Sequence, residues 1–229
     1  MNEIQIYDVI GQDMFGEGVT AKGIKAELDA IESGDLTVRI NSAGGDVFEG
    51  LAIFNLLKEF DGKVTVKVDG YAASIASVIA MAGDEVIMGQ GAMFMLHNPY
   101  TFSMGDAEEL RAQALVLDEV RDSLISTYKT RVSASEDELK TILDSETWFG
   151  ADESKAFGLA DSLSSEKAKV MNLSGCRWIN KAPEIVEDDG EDFGALVKPE
   201  PAYLDYLEQS NRIAQERADL SATRKNLKG

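Results

Sequence analysis

The chain has 229 residues, 44% of them hydrophobic, and its 41 acidic residues against 22 basic ones give a formal net charge of −19. That charge disfavours binding to nucleic acid or to an anionic membrane surface, because both are polyanions. The length is sufficient for one well-packed domain with an appendage.

We expect a cytoplasmic protein, because the sequence shows no pattern typical of an export signal. No apolar run approaches the roughly 20 residues that span a bilayer, and residues 1–11 lack the basic-then-apolar pattern of a signal peptide. The single cysteine, Cys176, cannot form an intramolecular disulfide, which agrees with a reducing compartment. One cysteine and one histidine do not make a metal-ligand cluster, so no metal or other cofactor is expected.

The first third of the chain alternates strand and helix patterns. Apolar residues predict strand, helix, strand, helix and strand in turn, over residues 4–6, 20–34, 36–40, 47–57 and 64–68. Thr20 is the expected cap of the first helix. The second strand leads into Asn-Ser-Ala-Gly-Gly at 41–45, where glycines allow backbone N–H groups to approach a ligand closely. Such alternation is typical of parallel βαβ units, whose functional groups gather at the carboxyl ends of the strands.

Ser74 is the first candidate for a functional residue. It follows the strand over 64–68 and Gly70, which is expected to form a turn, and it precedes a helix of small residues over 75–82. A hydroxyl at a strand-to-helix turn is rigidly held and feels the partial positive charge of the helix start, so the position suits a nucleophile. Ser77, one helical turn further on, is interpreted as a packing residue.

His97 is the second candidate, because it is the only histidine in the chain. It ends a second pair of strands, over 85–88 and 93–96, and it is the one side chain that could act as a histidine base near neutral pH. We expect activity to fall below about pH 6, since the unperturbed pKa of histidine is near 6.5. Met93 and Met95, just before it, suggest an apolar substrate pocket.

The remainder of the chain predicts two helices and a terminal appendage. An amphipathic helix over about 106–132 either packs on its own domain or projects as an arm against another subunit, and a shorter helix follows a Ser135–Glu138 capping box. Acidic residues and prolines over 182–201 predict a disordered linker, and residues 202–229 predict a terminal helical segment. The expected domain is therefore residues 1–181.

Four segments together resemble the Clp (caseinolytic) serine peptidase family, proteolytic subunit: INSAGGDVFEGLAIF, DGYAASIAS, FMLHNP and ETWFGADESKAFGLADS. They occur in the family's order and at similar spacings, over about residues 4–164. The resemblance implies an α/β fold, the Clp/crotonase-type spiral of βαβ units, with the helix over 106–132 as a protruding handle. It also implies a homo-oligomer, with rings of subunits enclosing the active sites, and peptide or protein substrates.

The resemblance also assigns roles to single residues. Ser74 aligns with the nucleophile and His97 with the general base, and the backbone N–H groups of Gly44 and Ile75 align with the oxyanion hole. The third member of the triad, usually aspartate, is Glu146 here. Asp144 is the rival acid.

Some features resemble one branch of the family more than the cellular enzymes. The chain begins almost at its first strand, without the segment that lines the axial pore and helps dock an unfoldase, and it carries the acidic linker and terminal segment. With the ETW motif, these features resemble the Clp-related head maturation proteases of tailed phages and prophages, which cut scaffold and capsid proteins. We therefore expect no dependence on an ATPase, and a location in the bacterial host cytoplasm or the assembling procapsid.

Two other functional classes remain open at the level of sequence. A crotonase-type acyl-CoA hydratase or isomerase uses a similar two-amide oxyanion hole, but usually with carboxylate acid and base groups. A non-catalytic shell or scaffold-binding relative would carry the triad as a remnant. The serine and histidine motifs disfavour the first class, and the complete set of serine, histidine and acid disfavours the second.

Overall fold

A computed structural model of the protein describes residues 2–12 and 18–164, and in these ranges strands and helices alternate as far as β4. The strands are β1 Asn2–Ile6, β2 Leu36–Ser42, β3 Val64–Ala73, β4 Glu85–Met88, β5 Met93–Leu96, β6 Thr147–Phe149 and β7 Ser162–Leu163. The helices are α1 Ala21–Asp29, α2 Val47–Lys58, α3 Ile75–Ala80, α4 Ala107–Tyr128, α5 Glu136–Asp144 and α6 Ala151–Phe157.

The strands form one seven-stranded sheet in the order β1-β2-β3-β4-β7, with β5 pairing to β3 and β6 pairing to β5. All pairings are parallel except that of β5 with β6. Alternate residues along β3, such as Val64, Val66 and Val68, are buried in the main core. The period-two pattern of the sequence thus places one face of the sheet against the helices.

Strand β3 continues through Gly70, so the predicted turn at this residue was wrong. Its first half pairs with β4, from Thr65 to Val68, and its second half pairs with β5, from Tyr71 to Ala73. Gly70 therefore lies where β3 exchanges one neighbour for another, and the pairing of β2 with β3 shifts register at the same level. The strands β4 and β5, predicted as a pair, each bond to β3 and not to each other.

Helix starts follow the sequence closely, whereas several helix ends do not. The Thr20 side chain accepts a hydrogen bond from the Gly23 N–H, and Ser135 forms the expected capping box with Glu138. Three helices end earlier than predicted: α1 at Asp29, α3 at Ala80 and α4 at Tyr128. Just after α4 the N–H groups of Thr130 and Arg131 bond to carbonyls three residues back, which tightens and ends the helix.

Among the described residues, helix α4 is packed against the core only toward its carboxyl end. Leu124, Ile125 and Tyr128 are buried, whereas Leu115 is 66% exposed and Val116 is 48% exposed. Of the two interpretations of this helix, the burial pattern favours a projecting arm. A helix packed on its own domain along its whole length would cover the side chains of Leu115 and Val116.

Three predicted features lie outside the described residues: the acidic linker over 182–201, the terminal segment over 202–229 and the environment of Cys176. Within the described ranges, none of the helices is both long and apolar enough to cross a membrane.

Candidate active site

Strand β5 positions the two candidate catalytic residues. Ala73 and Met95 are partners in the parallel pairing of β3 with β5, and the Ser74 N–H continues the ladder by donating to the Met95 carbonyl at 2.9 Å. His97 follows two residues after Met95. Ser74 and His97 therefore leave the carboxyl ends of two neighbouring strands, where functional groups gather in parallel sheets.

Ser74 stands in an unusual backbone conformation between β3 and α3. Its φ is 53° and its ψ is −129°, and its hydroxyl makes no capping bond to the helix that follows. A non-glycine residue at positive φ costs on the order of 1–3 kcal/mol and persists only where the surroundings hold it. The hydroxyl is turned instead toward His97, whose Nε2 lies 2.8 Å from Ser74 Oγ.

The His97 side chain is largely enclosed, with 10% of its surface exposed. Tyr100 contacts the ring edge-on, with 5.7 Å between centroids. Because burial disfavours the charged imidazolium, it lowers the pKa of His97 below the usual 6.5. The imidazole is therefore neutral at neutral pH, as a base that accepts the Ser74 proton must be.

Glu146, and not Asp144, lies beside the histidine. In the antiparallel pairing of β5 with β6, Leu96 is opposite Thr147. Because the strands run in opposite directions, the residue after Leu96, His97, faces the residue before Thr147, Glu146. Glu146 Oε2 is 3.9 Å from His97 Nδ1. This distance is within ion-pair range but longer than a hydrogen bond. Catalytic hydrogen bonds are often long before substrate is bound, and they shorten in the complex.

Asp144 has a different partner. It is exposed at the end of α5, and its Oδ1 accepts a hydrogen bond from Asn98 Nδ2 at 2.6 Å. Glu146 is half-buried and has a φ of 46°, which makes it, with Ser74, one of the two non-glycine residues at positive φ in the described part of the chain. Of the two acids, Glu146 is therefore the one that approaches the imidazole.

Gly44 and Ile75, whose backbone amides are expected to bind an oxyanion, lie close together in the structure. Gly44 has a φ of 88°, and a Cβ at this position would lie 2.8 Å from the Ser74 Cβ and 3.1 Å from the Ile75 nitrogen. Only glycine allows this approach. The Ile75 N–H is the first of α3 and so has no acceptor within the helix.

The Gly44 N–H already has an acceptor that the sequence reasoning did not anticipate. It donates to the hydroxyl oxygen of Ser42 at 3.1 Å, and Ser42 in turn donates to the Asp8 carbonyl at 2.6 Å. Ser42 is 1% exposed. A Gly44 amide acting on substrate would have to share its hydrogen with Ser42, whereas the Ile75 amide would not.

An apolar cluster lies beside Ser74 on the face of the sheet away from the main core. Its buried members are Tyr71, Ala73 and Met95, with Ala43, Met93 and Trp148 packed against them. Met93 and Met95 were predicted to line an apolar pocket, but Tyr71 and Trp148 were not singled out. For Tyr71 the sequence did contain a signal of this cluster. Alternate residues on a strand share one face, and two strands that end at the candidate site carry Tyr71 with Ala73 and Met93 with Met95 at alternate positions.

The family model described as Clp protease matches residues 4–167. The chain belongs to the Clp protease family. Among curated proteins it is 28% identical over 154 residues to an ATP-dependent Clp protease proteolytic subunit of Bacteroides fragilis, a match that covers 65% of this chain and 74% of the relative. It is also 28% identical over 138 residues to the ATP-dependent Clp protease proteolytic subunit 3 of Rhodococcus jostii, covering 59% and 68% of the two chains.

Among solved structures, a ClpP1 mutant from Listeria monocytogenes superimposes with a TM-score of 0.63 at 21% identity. The match covers 72% of this chain and 92% of the other. At this identity the likeness concerns the fold, which is the Clp/crotonase-type fold expected from the sequence.

The pH dependence of activity should report the burial of His97. Because protonation removes the base, and burial lowers the pKa of His97, the acidic limb of a kcat/KM profile should have its midpoint below 6.5. The profile should be measured on a short peptide, with circular dichroism at each pH as the control for folding. A midpoint above 6.5 would contradict the expected effect of burial, and no acidic limb down to pH 5 would contradict the assignment of His97 as base.

Proposed function

We propose that this Clp-family protein is a serine endopeptidase in which Ser74 is the nucleophile, His97 the general base and Glu146 the orienting acid. The observation that carries the proposal is the 2.8 Å contact between Ser74 Oγ and His97 Nε2. A serine hydroxyl is a weak nucleophile unless a neutral base is placed to accept its proton. The buried, neutral imidazole of His97 meets that requirement.

The chemistry would proceed in two halves. Ser74 Oγ attacks the scissile carbonyl carbon while its proton moves to His97 Nε2, and the carbonyl oxygen becomes an oxyanion. When the C–N bond breaks, His97 returns the proton to the departing amine, leaving an acyl group on Ser74. Water, deprotonated by His97, then releases the acyl group by the same sequence of steps.

The oxyanion would be stabilised by backbone N–H groups of Ile75 and Gly44. Each such donor, fixed in advance in a site that excludes water, is worth on the order of a hundredfold to a thousandfold in rate. The Ile75 N–H is the better placed of the two, since the Gly44 N–H bonds to Ser42 at 3.1 Å. Gly44 would contribute by sharing its hydrogen between Ser42 and the oxyanion.

Substrate recognition would involve the apolar cluster beside Ser74. Side chains from Tyr71, Met95 and Trp148 belong to the apolar cluster next to the nucleophile. A peptide bound in extended conformation beside Ser74 would place one apolar side chain against this cluster.

We further propose that the protein acts as a homo-oligomer in the cytoplasm. Support comes from the relatives, which are Clp protease proteolytic subunits, and from α4. The amino-terminal half of this helix exposes Leu110, Leu115 and Val116, and a second copy of the chain would cover these apolar side chains.

The finer biological role proposed is that of a head maturation protease of a tailed phage or prophage, acting on scaffold or capsid proteins without an ATPase. Its support is the resemblance described above: Glu146 in an ETW motif and the acidic segment over 182–201. Such an enzyme would work in the host cytoplasm, including the assembling procapsid.

The contact between Ser74 and His97 also weighs against the alternatives. A crotonase-type hydratase or isomerase has no need of a hydroxyl bonded to a neutral imidazole. A non-catalytic relative would have no need to hold Ser74 at a φ of 53°, which costs stability.

Peptide hydrolysis by the wild type and by Ser74→Ala tests the proposal. The wild type should cleave unfolded casein and a fluorogenic peptide without ATP, and Ser74→Ala should lose at least about a thousandfold in kcat, because the nucleophile is removed. The same pair should be co-produced with a scaffold or coat protein, where cleavage by wild type alone is expected. Equal hydrolysis by both proteins would contradict the proposal.

The choice of acid is tested by Glu146→Gln and Asp144→Asn, two variants that each replace one carboxylate by an amide of the same shape. Glu146→Gln should lower kcat by up to about ten-thousandfold, because the imidazole loses the carboxylate that orients it. Asp144→Asn should remain within about threefold of wild type, since Asp144 bonds to Asn98 and not to His97. The reverse order of effects would make Asp144 the acid.

A further inference from the structure

A buried chain of hydrogen bonds connects the end of α4 to the backbone of Ser74. The Ser77 hydroxyl donates to the Ser74 carbonyl oxygen, and it lies 2.7 Å from the Tyr128 hydroxyl. Ser77 is 0% exposed and Tyr128 is 1% exposed. These two side chains are polar groups in the main core, where an apolar pair would pack with no need for partners.

The direction of the chain follows from counting protons. A carbonyl oxygen can only accept, so the single hydroxyl proton of Ser77 goes to the Ser74 carbonyl. Tyr128 must then donate its own proton to Ser77 Oγ. Burial raises the pKa of Tyr128, so its hydroxyl stays protonated and remains a donor near neutral pH.

The Ser74 carbonyl belongs to the same peptide group as the Ile75 N–H. The described residues contain no cis peptide bond, and in a planar trans peptide the C=O and the N–H point in opposite directions. The carbonyl is fixed on the core side by the Ser77 hydroxyl and by the Ser77 N–H, which donates to it at 3.0 Å. The Ile75 N–H is thereby directed to the other side, where Gly44 lies against Ser74.

We propose that Ser77 and Tyr128 are positioning residues which fix the Ser74–Ile75 peptide group, and with it the Ile75 N–H that binds the oxyanion. This inference rests on the proposed function, since it assigns the pair a role in the same reaction. It gives Ser77 a task beyond the packing role predicted from the sequence. It also makes the end of α4, the projecting helix, part of the support of the active site.

The expected effects separate positioning from folding. Removing the Ser77 hydroxyl leaves the Ser74 carbonyl with the bond from the Ser77 N–H and loosens the peptide group. This change should lower kcat by about ten- to a hundredfold while KM changes by less than about twofold, because the oxyanion forms only in the transition state. Tyr128→Phe keeps the ring and removes only the donor to Ser77, so a smaller loss, about three- to tenfold, is expected. Since both act through one chain, the double variant should be no slower than Ser77→Ala.

The matched control is Ser154→Ala. Ser154 is likewise 0% exposed, and its hydroxyl donates to a backbone carbonyl, that of Gly150, at 2.7 Å. It lies in α6 and makes no contact with the Ser74–Ile75 peptide group among the described hydrogen bonds. The same change of serine to alanine therefore removes a buried hydroxyl without touching the oxyanion donor, and kcat should be unchanged.

The experiment measures kcat and KM on a fluorogenic peptide for wild type and these variants, per active site counted by the end point of fluorophosphonate labelling. Inhibition by a peptide boronate, whose adduct places an oxygen where the oxyanion forms, should weaken by the same factor as kcat. If Ser77→Ala does not fold, Tyr128→Phe decides. Variants as fast as Ser154→Ala, or slowed only through KM, overturn the inference and leave the proposed function standing. A folded wild type that hydrolyses no peptide overturns both.

Discussion

The backbone pairing of β5 determines where every candidate catalytic group lies. On one side β5 bonds in parallel to β3, which places His97 beside Ser74, and on the other it bonds antiparallel to β6, which places Glu146 opposite His97. A shift of one residue in either register would turn the side chains to the other face of the sheet. Ser74, His97 and Glu146 thus lie close together because the four-residue strand β5 pairs with β3 on one side and with β6 on the other.

Strain at this junction is localised on two members of the proposed triad. Ser74 and Glu146 both adopt positive φ, at 53° and 46°, a conformation that costs each of them on the order of 1–3 kcal/mol. Ser74 is held there by the bond of its N–H to Met95, by the close approach of Gly44 and by the bonds of its carbonyl to Ser77. The interactions that fix the strained backbone are the same ones that direct the hydroxyl and the Ile75 amide into the site.

The sequence was sufficient for those parts of the account that depend on local patterns. The cap at Thr20, the capping box at Ser135, the alternation in β2 and β3 and the single histidine all have causes within a few residues of the feature. Gly70 was misread because the strand continues there only by exchanging β4 for β5 as its neighbour, which is a tertiary event. The bond between Ser77 and Tyr128 joins residues 51 positions apart, and no local pattern encodes it. The choice between Glu146 and Asp144 as the acid likewise depends on the register of β5 with β6, which the sequence does not reveal.

The central claim is that Ser74 is an activated nucleophile, and intact-mass analysis after treatment with a fluorophosphonate tests it most directly. The reagent phosphonylates a serine only where a base accepts the proton of the hydroxyl. The account predicts one adduct per wild-type chain and none on Ser74→Ala, with both proteins folded. An adduct of equal yield on both, or a folded wild type that remains unmodified, would contradict it.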